Sequence, residues 1–200
     1  PVCPLDRAAG STNTLPAMKP TRAFQIVLML FLLSGPALAE RLPISHWSMV
    51  DGLPSNSIGA TTQDRRGFLW IATPEGLARF DGKQFVNFGK QHGLPSERVV
   101  SLKIDRHQRL WVGTMSGLAF ADLEQLPSAG LPYTPIATAL PADTGVMTIA
   151  ESPDGTLWFG TSRGLYRLTA DADPAAMTKI DLSAFFQEPE LAINRLAVGP

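Results

Sequence analysis

An all-β chain built from repeated four-stranded units is the fold class this sequence predicts, and three observations predict it. Short apolar runs are punctuated by 17 glycines and 17 prolines, the pattern of a turn-rich β chain. Tryptophans at 70, 111 and 158 recur in the same local surroundings. A composition of 44% hydrophobic and 18% charged residues over 200 positions is that of a folded domain with a core.

The surroundings of the tryptophans define the unit. Leu69, Leu110 and Leu157 precede them, and Ala72-Thr73, Gly113-Thr114 and Gly160-Thr161 follow. Gly76-Leu77, Gly117-Leu118 and Gly164-Leu165 come next, while Ile58, Val99 and Val146 stand upstream. The period is 41 residues and then 47. A period of this length with β-type segments inside it marks a propeller blade. The predicted fold is therefore a β-propeller of four-stranded blades, with blades over about 57–90, 98–138 and 145–190 and an incomplete propeller over 40–200.

Within the first copy, strands are expected at 58–63, 68–72, 77–80 and 84–88. Asp64-Arg65-Arg66-Gly67 joins the first two, with a side-chain acceptor first and a glycine last, where positive φ is cheap. The third copy has Ser152-Pro153-Asp154-Gly155, while the second has Asp105-Arg106-His107-Gln108 and lacks the glycine, which predicts mild strain there. Thr73-Pro74-Glu75-Gly76 and Asp81-Gly82 supply the remaining turns. The structural residues of the repeat are thus Asp64, Gly67, Trp70 and Gly76, then Asp105, Trp111, Gly113 and Gly117, then Asp154, Gly155, Trp158, Gly160 and Gly164. An Asp that opens a hairpin turn is structural rather than catalytic, and tryptophans fixed in every copy pack neighbouring blades rather than stack on sugars.

The repeat extends past these copies. Gly52-Leu53-Pro54-Ser55 matches Gly93-Leu94-Pro95-Ser96, so residues 42–49 read as a fourth strand that could close a ring. Residues 193–200 align with 146–153 and read as the start of a next blade. Three blades and a first strand are fewer than the 4 to 8 of typical propellers, so the reading is the front of a longer protein.

Residues 18–39 have two cations, an apolar core of about ten residues and a terminal Ala37-Leu38-Ala39, which is the organisation of a secretory signal peptide. Residues 1–17 read as a spurious upstream extension, and they hold the one cysteine, Cys3. The exported part then has no thiol for a disulfide or a cysteine zinc site. The net charge of −1, with no basic block, gives no footprint for nucleic acid. His46, His92 and His107 share no metal-ligand spacing, and neither a metal nor a cofactor is expected.

The run Gly52-Leu53-Pro54-Ser55-Asn56-Ser57-Ile58, followed by Asp64, Gly67, Leu69-Trp70, Ala72-Thr73, Gly76-Leu77 and Phe80-Asp81-Gly82, resembles the two-component regulator propeller repeat, over residues 42–200. Departures at Ala72, Gln108 and Ser152 affect single turns. The resemblance implies the periplasmic sensor region of an inner-membrane protein. It implies further that a downstream membrane segment and a histidine kinase or diguanylate cyclase output follow, with a homodimer as the working unit and a small molecule or oligosaccharide as ligand. No kinase or cyclase motif lies in these residues, so the fragment itself is not expected to be an enzyme.

In a propeller the loops from strand four to strand one and from strand two to strand three open on one end. Here they offer Asp51, Asn56, Glu75, Arg98, Ser116 and Arg163 as candidate ligand-binding groups. Two function classes follow: a sensor that passes ligand binding across a membrane, and a secreted propeller enzyme acting on polysaccharide, a glycoside hydrolase or lyase. For the second, Ser152-Pro153-Asp154-Gly155-Thr156-Leu157-Trp158 resembles the Asp-box turn of sialidases, though one residue short, and no paired catalytic carboxylates can be placed.

Overall fold

The computed structural model describes residues 44–124, 134–135, 140–186 and 191–197. The leader 1–17, the signal segment 18–39 and parts of the second and third repeats lie outside the described residues. One compact unit runs from His46 onward; of the unit before it, only Ile44 and Ser45 are described, and they form neither helix nor strand.

Three antiparallel meanders follow one another. The first is β1 (Ala60–Gln63), β2 (Leu69–Thr73), β3 (Gly76–Phe80) and β4 (Phe85–Phe88). The second is β5 (Val99–Ile104), β6 (Arg109–Thr114), β7 (Gly117–Asp122) and β8 (Thr134–Pro135). The third is β9 (Val146–Glu151), β10 (Leu157–Thr161), β11 (Gly164–Leu168) and β12 (Thr178–Lys179). Each sheet is a four-stranded propeller blade, and the inner strands β1, β5 and β9 lie side by side.

One carboxylate builds each of the first two inner turns. Asp64 Oδ1 accepts the amides of Arg66 and Phe68, and Oδ2 accepts the indole N–H of Trp70 at 3.1 Å. Asp105 repeats this with His107, Arg109 and Trp111, whose indole donates at 2.8 Å. In the third copy two side chains divide the work. Ser152 Oγ accepts from the Trp158 indole at 2.6 Å, and Asp154 accepts the amide and hydroxyl of Thr156. Gln108, where the other copies have glycine, sits at φ 58, the left-handed region that costs a side chain about 1–2 kcal/mol.

Strands two and three are joined by one hydroxyl device. Thr73, Thr114 and Thr161 each donate to the carbonyl of the glycine three residues on, at 2.8, 2.9 and 2.7 Å. Each also accepts the amide two residues on.

Packing between blades follows from strand alternation. Trp70, Ala72, Leu77 and Phe88 from the first blade meet Val99, Leu110, Val112 and Ala119 from the second. Trp111 and Leu118 then meet Val146, Phe159 and Tyr166 of the third. Both indoles are fully buried, so each tryptophan faces the next blade. Gly113 lets that blade approach: a Cβ there would lie 2.6 Å from the carbonyl oxygen of Val146. Gly160 stands in the same relation to Ile193, at 2.7 Å. Arg106 adds a polar clamp across the second gap, bonding Glu151 at 3.1 Å and the carbonyl of Pro153 at 2.8 Å.

The strand expected over 42–49 is not formed in its described part. Residues 44–48 carry no strand, and Met49–Asp51 form a 3-10 turn. A strand needs a neighbour to pair its amides, and among the described residues none is offered. Trp47 instead packs on Phe80 at 4.7 Å and Phe85 at 6.1 Å, beside the second apolar face of the first blade, formed by Leu53, Ile71 and Ala78.

Candidate functional site

The end of the blades that carries the four-to-one loops and the two-to-three turns holds the candidate site. Two of its loops open with the same turn. Residues 48–52 and 89–93 each close a 3-10 turn, with the third-residue amide bonded back to the Ser48 or Gly89 carbonyl and a left-handed glycine, Gly52 (φ 103) or Gly93 (φ 96), ending it. The leucines that follow, Leu53 and Leu94, are buried and pin the loops to the blades.

Over the second blade, between the loop that leads into it and the loop that leads out of it, lies an open cleft of about 440 Å³. Its walls are Lys90, Gly93, Leu94 and Pro95 on one side, Ser116, Gly117 and Leu118 beneath, and Leu140, Pro141 and Ala142 on the other. Two prolines and three leucines form an apolar wall, and Lys90 and Ser116 supply a cation and a hydroxyl. Such a lining suits a small organic ligand with a few polar groups. At the equivalent place on the third blade a second cleft of about 310 Å³ is lined by Gly164, Lys179, Ile180, Asp181, Leu182, Ser183 and Leu191. Here the Ser183 amide and hydroxyl hold the Asp181 carboxyl below its ordinary value of 3.8, so it presents a stable negative charge.

The six predicted ligand residues separate into two groups. Asp51 and Asn56 are committed to the local fold: Asp51 Oδ2 accepts from the Ser48 amide at 2.8 Å and hydroxyl at 3.0 Å, and Asn56 Oδ1 accepts from the Met49 amide at 3.0 Å. Ser116 lines the larger cleft. Glu75 and Arg98 are exposed and Arg163 is half-buried, and their side chains make no hydrogen bond or ion pair with the described residues. These three do not line either cleft.

Lys90, Lys179 and Asp181 were not legible as site residues. Lys90 has no counterpart charge in the first copy, where Met49 occupies its place, and only the folded turn brings it beside Ser116. The prolines had a signal, since Gly93-Leu94-Pro95 repeats Gly52-Leu53-Pro54.

At the opposite end of the blades the carboxylates predicted to be structural are occupied. Both oxygens of Asp64, Asp105 and Asp154 accept hydrogen bonds from their own turns. Among the described residues no group of three His, Cys, Asp or Glu side chains could hold a metal ion, and no helix is long and apolar enough to cross a membrane.

Comparison with known proteins places this geometry. The two component regulator propeller model matches residues 52–75, 93–116 and 140–163, each running from a four-to-one loop through the next two-to-three turn. A curated relative, Histidine kinase P4 of Formosa agariphila, is 33% identical over 69 residues, which are 34% of this chain and 5% of that protein. Among solved structures, the extracellular domain of BT4673 from B. thetaiotaomicron, described as a one component system, superposes with a TM-score of 0.54 at 26% identity. The match covers 72% of this chain and 19% of that domain. The extracellular domain of BT3049, a hybrid two component system of the same organism, has a TM-score of 0.51 at 23% identity, over 65% of this chain and 18% of its own, and shows the fold alone. The chain thus spans about a twentieth of the curated relative and under a fifth of the solved domains. Three stretches of the chain, 52–75, 93–116 and 140–163, thus match the two component regulator propeller repeat.

Proposed function

We propose that this chain is part of the extracytoplasmic sensing region of a transmembrane signal-transduction protein, and that it contributes to ligand recognition at the loop end of the propeller. The observation that carries the reading is the coincidence of three family repeats with a fold like the extracellular domain of BT4673. The signal-peptide organisation of residues 18–39 supports export to the periplasm. The cleft over the second blade supports a ligand with an apolar face and hydrogen-bonding groups, for which an oligosaccharide is the leading class.

On this reading the output is cytoplasmic, a histidine kinase or a diguanylate cyclase, and it is reached through a membrane segment outside this sequence. Ligand binding acts by shifting the packing of a homodimer. The kinase relative supports the first of the two outputs.

The test uses the full-length protein. A panel of neutral and acidic oligosaccharides is titrated while autophosphorylation or cyclic dinucleotide synthesis is followed. A saturable change in output that Lys90→Ala or Ser116→Ala weakens supports the reading. Glycosidic cleavage of the panel by the protein, without any output, overturns it in favour of a secreted enzyme.

A further inference from the structure

We infer that the Lys90–His92 turn is a pH-sensitive clasp on the wall of the larger cleft, closed when the His92 imidazole is neutral and released when it is protonated. Its regulatory meaning rests on the ligand-binding reading above; its chemistry does not.

Two successive copies build one turn with different side chains closing it. In the first, the Asp51 carboxylate accepts from the Ser48 amide at 2.8 Å. In the second, His92 stands 41 residues later in the same place, and its Nδ1 lies 3.0 Å from the Gly89 amide. A backbone N–H can only donate, so Nδ1 must be the unprotonated nitrogen. Once both ring nitrogens carry protons the imidazole has no acceptor left, and two N–H groups face each other across that distance.

The surroundings do not offer a substitute. Phe88 packs against the imidazole with ring centroids 5.6 Å apart. The charged groups on the turn, on the loops that share its cleft and on the two-to-three turn packed against Phe88 are Lys90, Glu97, Arg98, Asp143 and Glu75, and none bonds the ring. Lys90, in the same turn, adds repulsion to a charged imidazole. Imidazole is the side chain whose ordinary charge change falls in mild acid, where carboxylates as a class stay ionised. Mild acid therefore opens the second loop and leaves the first closed. Because Lys90 and Gly93 flank His92 and both line the cleft, opening moves the cation and one apolar wall together.

Hydrogen exchange on the full-length protein tests this without any ligand. Peptides covering 48–57 and 89–98 are compared at about pH 5 and about pH 7.5, corrected for intrinsic exchange. The second peptide is expected to lose protection on the order of fivefold in acid, the worth of about one hydrogen bond, while the first is unchanged. His92→Asp, which copies the first loop, should abolish the pH effect and keep protection at both values. Equal protection of 89–98 at both pH values, or the same loss in His92→Asp, overturns the clasp. A pH-dependent loop in a protein that binds none of the oligosaccharides leaves the clasp standing and removes the ligand reading instead.

Discussion

The two ends of the blades obey different rules. At the turn end, Asp64 and Asp105 make the same three bonds to two amides and an indole, and in the third copy Ser152 takes the indole while Asp154 takes one of the amides. At the loop end, matched positions carry unlike groups: Glu75, Ser116 and Arg163 in one series, Asn56, Glu97 and Thr144 in another. Only the closing threonine and glycine of the turn are common there. Side chains that every copy needs for folding are fixed by that need; of those that differ, Ser116 lines the larger cleft, whereas Asn56 and Thr144 bond within their own loops.

Five substitutions sharpen this contrast, taken from the largest expected effect down. Trp111→Ala empties a fully buried site between two blades and should cost about 3–5 kcal/mol in denaturant unfolding. Asp105→Ala leaves the indole of Trp111 and the amides of His107 and Arg109 without their acceptor, a loss of about 2–4 kcal/mol. Asp105→Ser should recover part of that loss, because Ser152 already serves an indole from the same position. If serine proves no better than alanine, the charge rather than the acceptor geometry holds the turn.

Gln108→Gly relieves a left-handed side chain and should stabilise by about 1 kcal/mol, unless the buried glutamine contributes packing that offsets it. The smallest effect is in the third turn. The Thr156 amide, then its hydroxyl, hold the Asp154 carboxyl below its ordinary 3.8. A lowered value means that the contribution is complete above pH 3.8 and is lost as the pH falls below it. The Thr156 amide resonance should therefore move only in that acid range, and Asp154→Asn should abolish the movement.

Much of the fold was legible because it is repeated. Leu69-Trp70 and Gly76-Leu77 recur at fixed spacing, and local turn chemistry did the rest, so strand bounds such as Ala60–Gln63 and Phe85–Phe88 fall within two residues of the sequence reading. The indole bond to Asp64 was not foreseen, although the Asp-to-Trp interval of six residues is kept in the first two copies. Seen in the fold, it explains why the pair is repeated at all: the acid fixes both the turn and the ring that packs the next blade.

The site was less legible for a physical reason. Pattern reading located the loops, but not which side chains would be consumed inside them. Asp51 and Asn56 look like free polar groups in the sequence, yet the short 3-10 turn at 49–51 needs both as acceptors for the Ser48 and Met49 amides. Lys90 becomes a wall of a cleft only when Gly93 turns the chain back over Ser116 and Leu140. Proximity between the loops on either side of one blade has no one-dimensional signature.

The most direct test of the division between the two ends measures ligand-induced thermal shifts in the full-length protein with an oligosaccharide that changes its output. Lys90→Ala should leave the unliganded melting temperature near wild type and remove most of the shift, while Asp64→Ala should lower the melting temperature and keep the shift. The reverse pattern, a shift that survives Lys90→Ala and vanishes with Asp64→Ala, would place recognition at the turn end and contradict that division.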